Sequence, residues 1–208
     1  MSHKSTEFQK FLSCLEIPKL GIHALDFALG MSSLPKGIMM EFGVWNGTSI
    51  TKMANAHPER HVFGFDSFEG LPETWDREDG AYEPGRFSLK GRLPHVPKNV
   101  QLIKGWFCDT LPGFVMKHKD ERVAFLHVDC DLYSSTCDIF KHLEPLFQDE
   151  MILVFDELVN YPGYERHEIL AFHEFLSAHP EWNVEWIGCL GGFIGHTNAN
   201  IQHDPGAQ

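Results

Sequence analysis

Basic residues are scarce in this chain: 17 Lys and Arg stand against 29 Asp and Glu, a formal net charge of −12. Binding nucleic acid through its phosphates needs clustered Lys and Arg, and only Lys117, Lys119 and Arg122 approach a cluster. The same deficit argues against docking on an anionic membrane. The five cysteines (Cys14, Cys108, Cys130, Cys137 and Cys189) are odd in number, widely spaced and without a CxxC pair. That pattern points away from a disulfide framework or zinc knuckle and fits a reducing cytoplasm. No apolar run reaches membrane-spanning length, and the start MSHKSTEFQKFL lacks the core of a signal peptide. A soluble, cytoplasmic protein is expected. Also missing are GxGxxG, a Walker P-loop and the G-x-S-x-G elbow, which argues against dinucleotide, nucleotide triphosphatase and α/β-hydrolase chemistry.

What the chain does have is acid at the ends of apolar runs. FLHVDCDLY (Phe125–Tyr133) carries Asp129 and Asp131, and MILVFDE (Met151–Glu157) closes on Asp156 and Glu157. In an open α/β sheet the carboxyl ends of neighbouring strands face one crevice, so these acids are expected to converge. Three such carboxylates repel one another unless a cation or hydrogen-bond donors compensate. Asp129, Asp156 and Glu157 therefore read as ligands for a hard cation such as magnesium or calcium. Asp131, directly before a helix, reads equally well as its N-cap, and His127, His167 and His173 read as structural.

The rest of the chain supplies the sheet those acids require. Strands are expected at Ile38–Phe42, His61–Phe65, Val100–Lys104, Ala124–Val128 and Met151–Phe155, with helices at Thr48–Ala56, Ser134–Glu144 and Arg166–Ala178. This alternation implies a three-layer, doubly wound, mainly parallel α/β sheet in one domain over residues 1–208. Val184–Ile187 and Gly192–Gly195 read as an antiparallel hairpin on its edge. Phe8, Phe11, Leu12 and Leu15, then Ile22, Leu25, Ala28 and Leu29, predict two helices in residues 1–36 that would cover the sheet or join two copies in a homodimer. The tail DPGAQ reads as frayed. Ser67–Lys98 holds four prolines, four glycines, Trp75, Tyr82 and Phe87 without sustained periodicity. A connection that long is usually functional, so it is expected to be a lid, a substrate wall or a packed excursion.

Three further segments bear on a ligand. In EFGVWNGTS (Glu41–Ser49), Gly43 and Gly47 let backbone approach a bound group at a helix start, or serve packing alone. About twenty residues on, Asp66 ends the next strand, where an acid commonly accepts from a ribose diol or caps a turn. In GWFCDTLP (Gly105–Pro112), Trp106 and Phe107 either cover a base or fill the core, and Asp109 reads as a helix cap.

Taken in order, EFGVWNGTS, GFDSFEGLPE, GWFCDTLP, HVDCDLYSST and VFDELVNYPG resemble the macrocin O-methyltransferase (TylF/MycF-like) group of class I S-adenosylmethionine-dependent methyltransferases. The resemblance implies a seven-stranded Rossmann-like fold and magnesium-assisted methylation of a hydroxyl on a small molecule such as a sugar or glycosylated natural product. By motif position it assigns Glu41, Gly43 and Ser49 to the amino-acid portion of S-adenosylmethionine, Asp66 to the ribose, and Trp106, Phe107 and Cys108 to the adenine surroundings. It matches Asp129, Asp156 and Glu157 to the metal acids, with Glu157 where the family pattern often has a second Asp, and gives Asp129 the added role of general base. A metal-dependent hydroxylase or other oxidoreductase, and a noncatalytic S-adenosylmethionine-binding protein, remain as the other readings.

Overall fold

The computed structural model describes residues 3–199; the tail DPGAQ lies outside them. Seven strands form one sheet: β1 (Ile38–Phe42), β2 (Val62–Asp66), β5 (Val100–Lys104), β6 (Val123–Val128), β7 (Ile152–Phe155), β8 (Trp182–Cys189) and β9 (Phe193–Ala199). Their spatial order is β5-β2-β1-β6-β7-β9-β8. The first five are mutually parallel, and β9 runs antiparallel to both β7 and β8. Every residue of β1, β6 and β7 is buried, as expected of parallel strands covered on both faces. Helices α3 (Thr48–Ala56), α4 (Phe107–Lys117), α5 (Tyr133–Leu143) and α6 (Glu168–Ala178) pack on the sheet, and α1 (His3–Ser13) and α2 (Ala24–Leu29) precede it. Among the described residues no helix is long and apolar enough to cross a membrane.

The chain builds outward from β1 in both directions, through β2 and β5 on one side and β6 and β7 on the other. A crevice therefore opens between the carboxyl ends of β1 and β6, the place where open α/β sheets bind ligands. Gly43 makes the close approach there: a Cβ on it would lie 1.7 Å from the Asp129 carbonyl oxygen, and its φ of +93° is one few side chains tolerate. The Asp129 N–H donates to Phe42 O at 2.9 Å and the Asp156 N–H to Val128 O at 2.9 Å. These bonds carry the ladder one residue beyond the strands and hold the two acids side by side.

Several sequence expectations shift. The sequence reading has a cap at Asp109 but no helix range after it; α4 runs on through Pro112 and Gly113 and buries Leu111 and Phe114. Asp109 lies in the first turn, where its charge suits the helix dipole; Trp106 is the N-cap, with no side-chain cap bond. Asp131 is not the cap of α5 either, since Leu132 holds that position and Asp131 adopts a φ of +65°. The long connection contains its own two-stranded hairpin, β3 (Trp75–Arg77) with β4 (Gly80–Tyr82). Trp75, Leu71 and Leu132 form a small satellite core beneath it, against Tyr82, Phe87 and Tyr161. The edge hairpin is longer than expected, with β9 inserted between β7 and β8.

Candidate active site

A cavity of about 740 Å³ sits over the carboxyl ends of β1, β2, β6 and β7, within the size range of small-molecule sites. One side is built by Gly43, Trp45, Asp66 and the start of α4, Trp106 to Cys108; the other by Asp129, Asp131, Asp156 and Glu157; and the hairpin supplies Trp75, Arg77 and Tyr82. Of the residues the resemblance assigns, Gly43, Asp66, Trp106, Phe107, Cys108, Asp129, Asp156 and Glu157 line this one cavity. Glu41 and Ser49 do not line it.

Asp66 is fixed by the backbone it helps to shape. Its Oδ2 accepts the Trp45 N–H at 2.7 Å and its Oδ1 the Phe68 N–H at 2.6 Å. A carboxylate oxygen has two acceptor positions, so a ribose diol can still donate to it. Trp106 and Trp45 remain 38% and 46% exposed at the mouth, where their rings offer faces for a base; Trp45 also meets Phe87 edge-on at 5.6 Å. Phe107, by contrast, turns its edge into Phe42, 5.2 Å between centroids, so its ring is shared between wall and core. Cys108 is exposed, and slight desolvation with the neighbouring Asp109 raises rather than lowers its thiol pKa, so nothing there favours a thiolate.

The acidic half is out of balance. Seven carboxylates line the cavity, and Arg77 is the one cationic side chain beside them among the described residues. Burial, then the charge of Asp156, pushes Asp129 well above the usual carboxylate range. Burial, then Glu157 and Asp156, raises Asp131 to about 7, with Arg77 opposing. Glu157 is also raised by burial and lowered by Arg77, whose Nη1 is 3.9 Å from its Oε1. Arg77 is itself clamped, with its guanidinium 5.0 Å from the Trp75 ring and 4.9 Å from the Tyr161 ring and two 3.0 Å bonds to Asp79.

Behind the wall, Glu168 is fully buried at the start of α6. Its Oε1 accepts the N–H of Asp131 at 3.1 Å and of Cys130 at 3.3 Å, and its Oε2 has no partner. Glu41 is likewise fully buried, and its Oε1 lies 2.9 Å from His127 Nδ1. A ring nitrogen of His127 and one carboxylate oxygen each of Asp129 and Asp156 lie within 4.8 Å of one another. This donor set fits a divalent cation. Glu157 is not in that group; it turns toward Arg77. Asp131, left open in the sequence between a converging acid and an N-cap, lies on the wall; the sequence reading missed Arg77, Glu168 and the His127 grouping. Only the last left a signal, His127-x-Asp129, which puts both side chains on one face of a strand.

Residues 31–180 match the sequence model of the family described as Macrocin-O-methyltransferase (TylF). A Streptomyces olivaceus tetracenomycin-rhamnoside 4'-O-methyltransferase is 33% identical over 142 residues, 58% of this chain and 52% of the relative. The mycinamicin III 3''-O-methyltransferase of Micromonospora griseorubida is 28% identical over 180 residues, 76% of this chain and 66% of the relative. The chain thus spans about half to two thirds of the length of these curated relatives. Among solved structures, a calicheamicin methyltransferase superposes with a TM-score of 0.63 at 22% identity, covering 94% of this chain and 80% of its own. The O-methyltransferase NovP gives 0.59 at 23%, covering 91% and 78%. These two likenesses show the fold.

Proposed function

The chain belongs to the macrocin O-methyltransferase (TylF) family, and from that premise we propose that it transfers a methyl group from S-adenosylmethionine to a hydroxyl of a small, glycoside-like molecule. The observation that carries the reading is the division of one cavity into two chemically different halves. Asp66 with the exposed rings of Trp45 and Trp106 suits a nucleoside, whereas Asp129, Asp131 and Asp156 face the space beside it. Relatives named for methylating sugar positions of tetracenomycin and mycinamicin support a sugar hydroxyl as acceptor.

S-adenosylmethionine supplies the electrophilic methyl when bound, and a divalent cation would supply charge neutralisation and hydroxyl acidification. The protein's own share is positional. Asp66 would hold the ribose, Trp106 would cover the base, and Asp129 and Asp156 would hold the cation, with Glu157 beside them. The acceptor's proton passes to Asp129; Asp131, two residues on and on the same wall, is the other base within reach. Glu41 and Ser49 fall outside the cofactor contacts in this arrangement, because neither reaches the cavity.

Calorimetric titration of S-adenosylmethionine and S-adenosylhomocysteine, each with magnesium and with chelator, tests the cofactor half. Mass spectrometry of a glycoside panel then tests the acceptor half. A product 14 mass units heavier is expected; a gain of 16 would point to the hydroxylase reading, and cofactor binding without any product to the noncatalytic one. Failure of both cofactor forms to bind would overturn the proposal.

A further inference from the structure

The buried pair behind the acids is chemically unfinished. Glu41 and His127 are 0% and 1% exposed, in register on adjacent strands β1 and β6. Their one hydrogen bond, between Glu41 Oε1 and His127 Nδ1, leaves His127 Nε2 and Glu41 Oε2 buried with no partner. An unsatisfied buried polar atom carries its full desolvation penalty, so orphans of this kind usually mark a missing ligand or water. A histidine that binds a metal almost always gives its other ring N–H to a carboxylate, a backbone carbonyl or a water, which sets the tautomer and the ring orientation. Glu41 is placed to do that. With Nδ1 committed to Glu41, Nε2 keeps its lone pair, and a ring nitrogen of His127 falls within 4.8 Å of carboxylate oxygens of both Asp129 and Asp156.

We infer that the cation site is a mixed nitrogen and oxygen site, formed by His127, Asp129 and Asp156 and oriented by Glu41, and that it selects a first-row transition cation over magnesium. The inference rests on the metal part of the proposed function and deepens it. Magnesium takes oxygen ligands almost exclusively, whereas imidazole suits zinc, copper, iron and nickel, with cobalt between iron and nickel in the affinity order. Two further features agree. Glu157, the acid that would complete an all-oxygen set, is turned toward Arg77. A cation there would also sit between Asp129 and Asp156, whose mutual repulsion it would offset.

The test reads the imidazole directly. Protein carrying ¹⁵N-labelled histidine is stripped with chelator and titrated with Zn²⁺ while two-bond ¹⁵N–¹H spectra are recorded. The His179→Gln background is used, because Glu144, His179 and Glu181 also bring ligand atoms within 4.8 Å of one another. One imidazole should show Nε2 moving to the metal-bound range while Nδ1 stays protonated, and that signal should be absent from His127→Gln. In parallel calorimetry, Glu41→Gln should weaken Co²⁺ binding by about 10–100-fold, and parent protein should bind Co²⁺ more tightly than Mg²⁺. If His127→Gln does not fold, the shifted imidazole is identified in Glu41→Gln, where its Nδ1–H signal moves. Should both cations bind with no imidazole shift and no change in Glu41→Gln, the inference fails and the all-carboxylate site stands. Should neither cation bind while S-adenosylmethionine does, the metal reading itself falls.

Discussion

Glu168 is fully buried with one of its two carboxyl oxygens unpartnered. Its carboxyl is held by two backbone N–H groups through one oxygen only, and desolvation, then the nearby Asp131, raises its pKa well above the ordinary value. A raised acid binds its proton more tightly when folded, so its favourable contribution is complete below the unfolded pKa, about 4.3, and is lost as pH rises through the folded value. Glu168→Gln keeps an acceptor for both N–H groups and removes the titration. In chelated protein it should therefore melt higher than parent at pH 8 and converge with parent near pH 4. A gain of 1 kcal/mol corresponds to roughly 2–4 °C in a chain of this size, readable by differential scanning fluorimetry; a lower melting point at pH 8 would refute the argument. The two aspartates on the wall separate in the same way. Loss of the general base costs about 10²–10⁴ in kcat. Asp131→Asn should show that loss with cation affinity retained if Asp131 takes the proton, whereas Asp129→Asn should lose turnover and cation binding together. Of these residues the strand-end acids were legible, because type and position along a strand are local. Glu168, which reaches back 38 residues to Cys130, and the Glu41–His127 contact across 86 residues were not, since nothing in a linear string says which buried donor meets which acceptor.

Elements were legible in proportion to how regular their burial is. The parallel strands are mostly apolar, with β5 (VQLIK) the exception at the sheet edge, and were readable to within a residue or so. The hairpin β3–β4 was not, because its strands are three residues each and its stability comes from rings rather than from period. Trp75 is the centre of that packing: it stacks on Tyr82 at 5.2 Å, meets Tyr161 at 6.0 Å, and lies beneath the Arg77 guanidinium. The hairpin is also tied to the body by Ser134 Oγ donating to Glu73 at 2.5 Å and by Arg166 and His167 at Asp76. Removing a buried Trp typically costs about 3–5 kcal/mol, more than a two-stranded ribbon with so small a core can supply. Trp75→Ala should therefore release the hairpin while leaving the sheet folded. Hydrogen exchange should show protection lost across residues 71–89 and retained in β1, β6 and β7. Loss of protection in all of them together would mean that the hairpin is integral to the main core rather than a separable wall.

For the molecule as a whole, the deficit of basic residues concentrates where it has most effect. A cavity with seven carboxylates and one arginine, in a chain of net charge −12, focuses a negative potential into a low-dielectric crevice. That field favours a cationic guest over a neutral one of the same shape. S-adenosylmethionine carries a sulfonium charge that S-adenosylhomocysteine lacks, so in chelated protein the first should bind more tightly, and its advantage should depend on salt. The Debye length falls from about 10 Å at 0.1 M to about 3 Å at 1 M ionic strength, which screens the rim acids and leaves the shape of the cavity unchanged. Raising the salt should then weaken S-adenosylmethionine severalfold more than S-adenosylhomocysteine, and paired calorimetric titrations at two salt concentrations read the ratio. The same field acts on the acceptor. Nucleoside diphosphate sugars bring two phosphate charges into this crevice, and neutral or amino-bearing glycosides bring none, so the latter should be methylated with the lower KM. Equal salt dependence of the two cofactor forms would mean that the acids are protonated or internally compensated in the apo protein, and the preference for uncharged acceptors would lose its basis.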